Sequence, residues 1–157
     1  MMAQLSKNFT WEEFTASDTA KKLGIINQIT NWDVRDNAIA LFENLIQPAR
    51  DAWGKPVFIG PNHSGYRCPA LNKAVGGVAA SQHQYGEAAD CGVDDPLAFA
   101  RLIIELGLPF DQMGLYPTFV HLSYKRNGEN RGQVFYAKSY KGGLKLYGER
   151  ESNLIRI

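Results

Sequence analysis

Hydrophobic residues recur at three- and four-residue intervals across residues 34–53, which predicts an amphipathic helix with one buried face. The apolar positions of this pattern are Ala38, Leu41, Phe42, Leu45, Ile46 and Ala49. Pro48 lies inside the pattern, and because proline has no backbone N–H we expect it to kink or shorten the last turn. Nearer the N-terminus, Thr10-Trp11-Glu12-Glu13 has the Thr-x-x-Glu form of a capping box, which predicts that a short helix begins there.

The rest of the pattern predicts further helices and a small sheet. Residues 69–80 are expected to form a small helix followed by a Gly76-Gly77 turn, and residues 96–106 another helix, whose apolar side chains share one side. Strands are expected over residues 57–59, 86–93, 119–124 and 133–136. The polar stretch 125–132 contains Asn127-Gly128 and suits a hairpin between the last two strands. The predicted fold class is α+β, a single domain with helices packed on a small, mainly antiparallel sheet.

Composition and charge narrow the range of functions. With 157 residues, 45% of them hydrophobic, the chain can bury the core of one domain without a disulfide framework. Its 17 basic and 16 acidic residues give a net charge of +1, which provides no broad field for nucleic acid or an anionic membrane. No stretch approaches the roughly 20 apolar residues of a membrane span, and the first residues lack the apolar run of a secretory signal. We expect a monomer that is made in the cytoplasm and binds through a local site.

The chain contains three histidines, His63, His83 and His121, so their placement is informative. His83 and Asp90 lie seven residues apart around Gly86, in a segment that reads as a loop ending in a strand. His121 lies in an apolar strand, where alternation fixes the face that its side chain takes. Two His and one Asp would provide three protein ligands and leave a fourth position for water, as in a catalytic zinc site. On spacing alone, these histidines can also be ordinary polar or packed residues.

Four segments of the chain resemble a known family. They are Ser64-Gly65-Tyr66-Arg67, Asn72-Lys73-Ala74-Val75-Gly76-Gly77, Ser81-Gln82-His83-Gln84-Tyr85-Gly86-Glu87-Ala88-Ala89-Asp90 and Phe119-Val120-His121-Leu122-Ser123. Together they resemble the M15 zinc peptidases, which include D-Ala-D-Ala carboxypeptidases and related peptidoglycan peptidases such as phage endolysins. The resemblance covers residues 9–136. It implies a hedgehog/DD-peptidase-like fold for one domain over residues 1–157, with residues 137–157 as a C-terminal β extension.

Carried over by position, the resemblance implies that one zinc ion is bound by His83, Asp90 and His121. It also implies that Arg67 lies near the scissile carbonyl or a substrate carboxylate, which a planar guanidinium can hold by paired hydrogen bonds. The alternative for Arg67 is a structural ion pair with an acid such as Asp94.

Other residues near the motif have less defined roles. Ser81, two positions before His83, either contacts substrate or caps a turn. His63 has no counterpart among the family's ligands and is expected on the rim of the site or in a loop. Cys68 and Cys91 could supply a thiol nucleophile or a disulfide, but we expect small packing residues, since free cysteine commonly behaves as a compact hydrophobe.

One position departs from the family pattern. Many M15 enzymes carry an acid three residues before the last histidine, where it exchanges protons with the attacking water and the leaving amine. Here that position is Thr118, and a hydroxyl cannot act as a base near neutral pH. The candidate replacements are Asp111, which could instead orient a zinc-binding histidine, and Glu87, which strand alternation turns away from the metal.

The resemblance implies a zinc-dependent metallopeptidase that hydrolyses bonds in bacterial cell-wall peptides, either a D-Ala-D-Ala carboxypeptidase or a related endopeptidase. Its partners would be peptidoglycan stem peptides, reached at the cell wall after phage-type or other release. The alternative that Thr118 favours is a catalytically weak or inactive, zinc-containing module that binds peptidoglycan without cutting it. A protein-interaction domain on this scaffold, as in the hedgehog signalling domain, is a third alternative.

Overall fold

The computed structural model describes residues 3–136 and 154–156, in which two short strands are followed by a run of helices and then mainly by strands. The strands are β1 (Gln4–Ser6), β2 (Phe9–Thr10), β3 (Ala88–Gly92), β4 (Gln112–Leu115), β5 (Phe119–Ser123), β6 (Gln133–Tyr136) and β7 (Leu154–Arg156). The α-helices are α1 (Trp11–Thr15), α2 (Asp18–Leu23), α3 (Trp32–Leu41), α4 (Gln47–Trp53), α5 (Pro69–Ala74) and α6 (Pro96–Glu105). A π-helical turn (Phe42–Ile46) joins α3 to α4, and a 3-10 helix (Gln82–Tyr85) precedes β3.

The predicted long helix is present and continues past Pro48. It runs through α3, the π-helical turn and α4, and it ends where Gly54 takes a left-handed conformation with φ of 68°. The wider π turn comes directly before Pro48, where one backbone donor is missing, so the helix is widened rather than shortened there. The capping box at α1 is also confirmed, because the Thr10 hydroxyl accepts a hydrogen bond from the Glu13 amide.

The main sheet has the strand order β3-β5-β4-β6-β7, and a separate two-stranded sheet pairs β1 with β2. All neighbours in the main sheet are antiparallel except β4 and β6, which are parallel. The predicted α+β class, with helices on a mainly antiparallel sheet, is confirmed.

The predicted hairpin between residues 119–124 and 133–136 is wrong, because β4 lies between β5 and β6. The hairpin is instead β4–β5, and the stretch 125–132 carries the chain across β4 to its other edge. Tertiary contacts hold that connection. The amide of Gly132 donates to the Phe110 carbonyl and that of Gln133 to the Asp111 carbonyl, so the chain is tied to the entry of β4 rather than folded back on β5.

The predicted strand over residues 57–59 is also wrong. Phe58 forms a single antiparallel bridge with Gly92 at the outer edge of β3, through two backbone hydrogen bonds of 3.0 and 2.7 Å. Val57 and Ile59 are buried while Phe58 is exposed, so the apolar alternation reflects packing against the sheet edge rather than a full ladder.

The sheet separates the core from the surface that carries the histidine of β5. Its inner face is fully buried against the helices, with Met113, Leu115, Val120, Leu122 and Val134 in one core cluster. Phe119 and His121 lie on the other face and are partly exposed. This alternation follows from the two-residue period of a strand.

Two further expectations concern packing and the chain end. Cys91 is buried in the core and Cys68 packs against it, and both thiols are free, as expected for packing residues. Burial raises the pKa of Cys91 far above its usual value, which makes it a poor nucleophile. The predicted extension, residues 137–157, lies outside the described residues apart from β7. In the described part of the chain, residues 3–136 and 154–156, none of the helices has the length and apolar character needed to cross a bilayer.

Candidate metal centre

His83, Asp90 and His121 come together beside the outer face of β5. Asp90 and His121 lie directly opposite each other on the paired strands β3 and β5, and His83 arrives on the 3-10 helix just before β3. One nitrogen or oxygen from each side chain forms a group in which all atoms lie within 4.8 Å of one another. The sequence separation of seven residues between His83 and Asp90 is therefore closed by a tight turn.

Local sequence explains that turn. The Ser81 hydroxyl accepts a hydrogen bond from the His83 amide and starts the 3-10 helix. Gly86 ends it with φ of 71°, and a Cβ at that position would lie 2.4 Å from the carbonyl oxygen of Val34. Only glycine satisfies both the left-handed conformation and this close approach, so Gly86 sets the direction in which β3 leaves His83.

The donor atoms have a spacing that suits a metal ion. Asp90 Oδ1 lies 2.8 Å from His121 Nδ1 and 3.4 Å from His83 Nε2. Ligand atoms around a tetrahedral ion with bonds of about 2.0–2.1 Å lie about 3.3 Å apart, so small side-chain shifts would suffice. Two imidazoles and one carboxylate are also the donor set of a three-ligand hydrolytic site. The residues present fit a metal ion.

A backbone contact orients His83 for this role. Its Nδ1 lies 2.7 Å from the carbonyl oxygen of Gly65, which can only accept, so Nδ1 carries the proton and donates. The lone pair is thereby left on Nε2, the nitrogen that faces Asp90. Such a contact to the second ring nitrogen fixes the tautomer and ring orientation of a metal-binding histidine. The loop 64–67 thus supports the cluster directly.

Burial and neighbouring side chains shift the pKa values of His83 and Asp90. Burial lowers the pKa of His83, which favours the neutral, metal-binding form of its imidazole. Burial by itself raises the pKa of Asp90, but the nearby imidazoles of His83 and His121 outweigh it and hold that pKa well below its usual value. Asp90 is therefore an anion, although only 8% of its surface is exposed. A buried anion beside imidazole nitrogens attracts a cation.

Arg67 lies next to this cluster. Its Nη2 is 4.0 Å from Asp90 Oδ2, its Nε donates to the Ser64 hydroxyl, and its Nη1 donates to Asn72 Oδ1. Asn72 is itself buried and anchored to the Val78 carbonyl. Arg67 thus has neutral partners besides Asp90, and the alternative pairing with Asp94 is not formed, since Asp94 pairs with Lys55.

A cavity of about 310 Å³ opens onto the cluster. It is lined by Arg67, Val78, Ser81, His83, Asp90, Tyr116, Phe119, His121 and Phe135. Sequence reasoning missed Tyr116 and assigned no function to Phe135. Gly114 provides the space for Phe135, because a Cβ there would lie 2.5 Å from its ring. Recognising residues 112–115 as a strand would have placed Tyr116 in the turn before His121.

A second cavity of about 390 Å³ shares Val78, Ser81 and His121 with the first. Its remaining lining residues are Ala80, Gln82, Tyr85, Glu87, Gln112, Lys125 and Arg131. The two cavities therefore meet at His121. An extended ligand has space on both sides of that residue.

Asp111 is not brought to the cluster. Its buried carboxylate accepts two hydrogen bonds from the Arg131 guanidinium, at 2.9 and 2.7 Å, and one from the Arg131 amide. Lys125 adds a further charge at 3.9 Å. Burial raises the pKa of Asp111, but these contacts to Arg131 outweigh it and lower that pKa overall. Its oxygens contact neither histidine, so the expected base or histidine-orienting role has no geometric support here.

The other predicted residues differ in which of the two cavities they line. Glu87 lines the second cavity together with His121, and burial raises its pKa, although it does not line the cavity that contains Asp90. Thr118 is exposed in the turn between β4 and β5 and lines neither cavity. Ser81 caps the 3-10 helix and also lines both cavities, so its two proposed roles are compatible. His63 packs against Phe119, with ring centroids 5.4 Å apart, beside the site.

Comparison with known proteins bears on this geometry. A family model described as Peptidase M15 matches residues 7–123, a range that includes the whole His–Asp–His cluster and Arg67. A search of curated proteins gives no match.

Proposed function

The chain belongs to the M15 peptidase family, and we propose that it is a zinc-dependent hydrolase that cuts peptide bonds in bacterial cell-wall peptides. The observation that supports this proposal most is the His83–Asp90–His121 cluster, which opens into a cavity beside a cation, Arg67. Two nitrogen donors and one carboxylate suit zinc, and three ligands leave room for water.

The metal and the protein side chains contribute different chemistry. His83, Asp90 and His121 would hold the zinc ion, which when bound would supply Lewis-acid chemistry and a more acidic water. His83 is kept in its metal-binding tautomer by the Gly65 carbonyl, and Asp90 supplies the negative charge. The Gly65 contact fixes the His83 ring before a substrate arrives, which reduces the reorganisation that the reaction requires.

Arg67 supplies the electrostatic part of the proposed reaction. Only 15% of its side-chain surface is exposed, and it remains positively charged because arginine does not lose its proton in proteins. It lines the same cavity as Asp90 and the two histidines, where it can bind a substrate carboxylate or the oxygen on which charge develops. The first role would suit a D-Ala-D-Ala carboxypeptidase, and the second would serve an endopeptidase equally well.

The shape of the site favours a peptide over a smaller molecule. The two cavities meet at His121, so a chain of several residues can extend away from the cluster in both directions. Lys125, Glu87 and Gln112 in the second cavity offer both charges and an amide to the polar groups of a stem peptide. We further propose that the protein acts as a monomer at the cell wall, after phage-type or other release from the cytoplasm.

One observation favours the alternative of a binding module with little or no catalysis. Among the described residues, Asp90 is the one carboxylate that lines the cavity over the cluster, and Thr118 is exposed to solvent. Without a nearby base, binding could occur without turnover. The proposals differ in whether a peptide bond is broken.

Mass spectrometry of digests separates the two functions. Purified, zinc-loaded protein is incubated with peptidoglycan and with defined stem peptides, beside the variants His83→Ala and His63→Ala. The peptidase proposal expects new products from the wild type and from His63→Ala, in which the altered histidine lies outside the cluster, and none from His83→Ala. Product masses identify the bond. Bound zinc and bound peptide without any product would support the binding module instead.

A further inference from the structure

The proposed site has no assigned neutral hydrogen-bond donor besides the Arg67 cation, and we propose that the hydroxyl of Tyr116, which lines the same cavity, is that donor. The inference rests on the peptidase function proposed above and assigns one more catalytic residue to it. In this role Tyr116 would hydrogen-bond to the substrate oxygen on which negative charge develops as the amide is attacked.

The backbone places Tyr116 at the site. It is the first residue after β4, and its amide donates to the Phe119 carbonyl at 3.1 Å, which closes the short turn into β5. Phe119 is two residues before His121 on β5. A tight turn of this kind fixes the backbone of Tyr116 relative to β5, the strand that carries His121.

Aromatic packing then fixes the direction of the ring. Tyr116 stacks on Phe119 with the ring centroids 4.3 Å apart and the planes 10° from parallel. Phe135 meets the Tyr116 ring from the side, at 6.4 Å and 85°. The ring is therefore packed against two aromatic side chains, and it lines the same cavity as Arg67, His83, Asp90 and His121.

The chemical state of Tyr116 suits a donor rather than a base. Burial raises the pKa of the phenol, and the negative charge of Asp90 raises it further, although Arg67 acts in the opposite direction. The hydroxyl thus keeps its proton near neutral pH. No hydrogen-bond partner of that hydroxyl is found within residues 3–136, which leaves it available to a ligand in the cavity.

These observations give Tyr116 and Arg67 complementary parts. Arg67 brings a full positive charge, and Tyr116 brings a neutral O–H dipole on a rigid ring. Preorganised donors of this kind act mainly on the transition state, since they need no reorientation as charge develops. No proton is transferred in this step, so the phenol is unchanged after each turnover.

Tyr116→Phe tests the hydroxyl alone, because the phenylalanine ring preserves both aromatic contacts. The matched control is Tyr136→Phe. Tyr136 follows Phe135 on β6, points to the opposite side of the strand and packs against the core. For each protein we would measure zinc content, kcat and KM on a stem peptide, and the Kd of a phosphinate pseudopeptide that mimics the tetrahedral transition state.

The proposal expects Tyr116→Phe to bind a full equivalent of zinc and to keep its KM within about threefold. It expects kcat to fall by about 10²-fold to 10³-fold, the range found for loss of one such donor. The Kd of the phosphinate should rise by a similar factor, while Tyr136→Phe should match the wild type in every measurement.

Other results would overturn the proposal. An unchanged kcat and an unchanged phosphinate Kd would make Tyr116 a wall of the cavity only. A raised KM with unchanged kcat would assign it to substrate binding instead. If the wild type itself binds zinc and peptide without hydrolysis, the peptidase function fails and the role of Tyr116 fails with it, a result that differs from loss of kcat in the variant alone.

Discussion

Asp90 and Asp111 are both buried aspartates at the main sheet, and both have lowered pKa values, but their partners differ. Asp111 has no exposed side-chain surface and is held by the fork of Arg131, the Arg131 amide and Lys125. Asp90 contacts two imidazoles, with Arg67 at 4.0 Å. All partners of Asp111 are hydrogen-bond donors without a free lone pair. The partners closest to Asp90 are imidazoles, which can themselves bind a metal ion.

This difference separates a structural ion pair from a binding site. The Arg131 fork fills the lone pairs of Asp111, so adding a cation there would displace contacts that are already good. At Asp90, a cation would bind the carboxylate together with His83 and His121. These bonds would replace the contacts that the three side chains make with one another. Burial and a lowered pKa alone would have marked both carboxylates as functional. The identity of the partners distinguishes them.

The largest expected effect comes from removing the central carboxylate of the cluster. Asp90→Ala should weaken zinc binding by more than about 100-fold, beyond the usual cost of losing an outer-shell partner, and should abolish hydrolysis. Calorimetric titration with zinc and a peptide assay measure the two losses. Asp94→Ala is the matched control, since Asp94 is not part of the cluster and forms an exposed pair with Lys55. Equal zinc affinity in the two variants would show that Asp90 does not bind the zinc ion.

Arg67→Lys comes next, because it keeps the charge near Asp90 but removes the planar fork. We expect kcat/KM to fall by about 10²-fold, since a lysine cannot make paired hydrogen bonds to one oxygen group. Zinc content should not change. Arg126→Lys, at a partly exposed pair with Asp33, serves as the control and should retain full activity. A loss of zinc from Arg67→Lys would show that Arg67 acts through the cluster's structure instead.

Asp111→Asn should change stability and leave the metal centre intact. The substitution removes the charge that binds Arg131 and leaves a buried amide in its place, with an expected cost of about 1–3 kcal/mol in the free energy of unfolding. Urea denaturation measures this cost. The variant should still bind one zinc ion. Unaltered stability together with lost hydrolysis would instead restore Asp111 as a catalytic candidate.

The ion pair of Asp111 with Arg131 predicts that the stability of the fold depends on pH. The folded-state pKa of Asp111 is lowered, so its stabilisation is present above the unfolded value of about 3.9 and is lost as the pH falls through the folded value. The wild type should therefore lose stability more steeply than Asp111→Asn below about pH 4. Denaturation midpoints of the two metal-free proteins, measured between about pH 3 and about pH 7, would test this difference. Parallel curves would contradict it.

The smallest effect is expected at Ser81. Ser81→Ala removes the cap that starts the 3-10 helix before His83, with an expected loss of about 1 kcal/mol. Thermal denaturation measures this loss. Because Ser81 also lines both cavities, Ser81→Thr is the informative companion, since it keeps the hydroxyl. A raised KM in Ser81→Ala that Ser81→Thr restores would add substrate contact to capping.

Sequence patterns predicted those parts of the fold that depend on nearby residues. The helix through residues 34–53 and the capping box at Thr10 were correct, because a 3.6-residue period and a cap are local properties. The strand order was not predictable in this way. Asn127-Gly128 indicates a turn, but hydrogen bonds between residues 132–133 and 110–111 decide that β6 pairs with β4. Pairing of this kind depends on residues that are far apart in the sequence, so no single segment predicts it.

The site shows the same division. The motif from Ser81 to Asp90 places two proposed ligands, because the turn at Gly86 is short and specific. Tyr116 could not be found in this way, since its presence in the cavity depends on the β4–β5 turn and on the space that Gly114 leaves for Phe135. The ion pair of Asp111 could not be predicted in this way either, because its partner, Arg131, comes from a loop 20 residues away.

The central claim is that His83, Asp90 and His121 hold one zinc ion. Anomalous diffraction from crystals of the zinc-loaded protein, recorded on both sides of the zinc absorption edge, tests it most directly. We predict a single strong peak enclosed by His83 Nε2, an oxygen of Asp90 and His121 Nδ1, which disappears in crystals of Asp90→Ala. A fully occupied zinc peak at any other residues, or no peak in protein that binds zinc stoichiometrically in solution, would contradict the account.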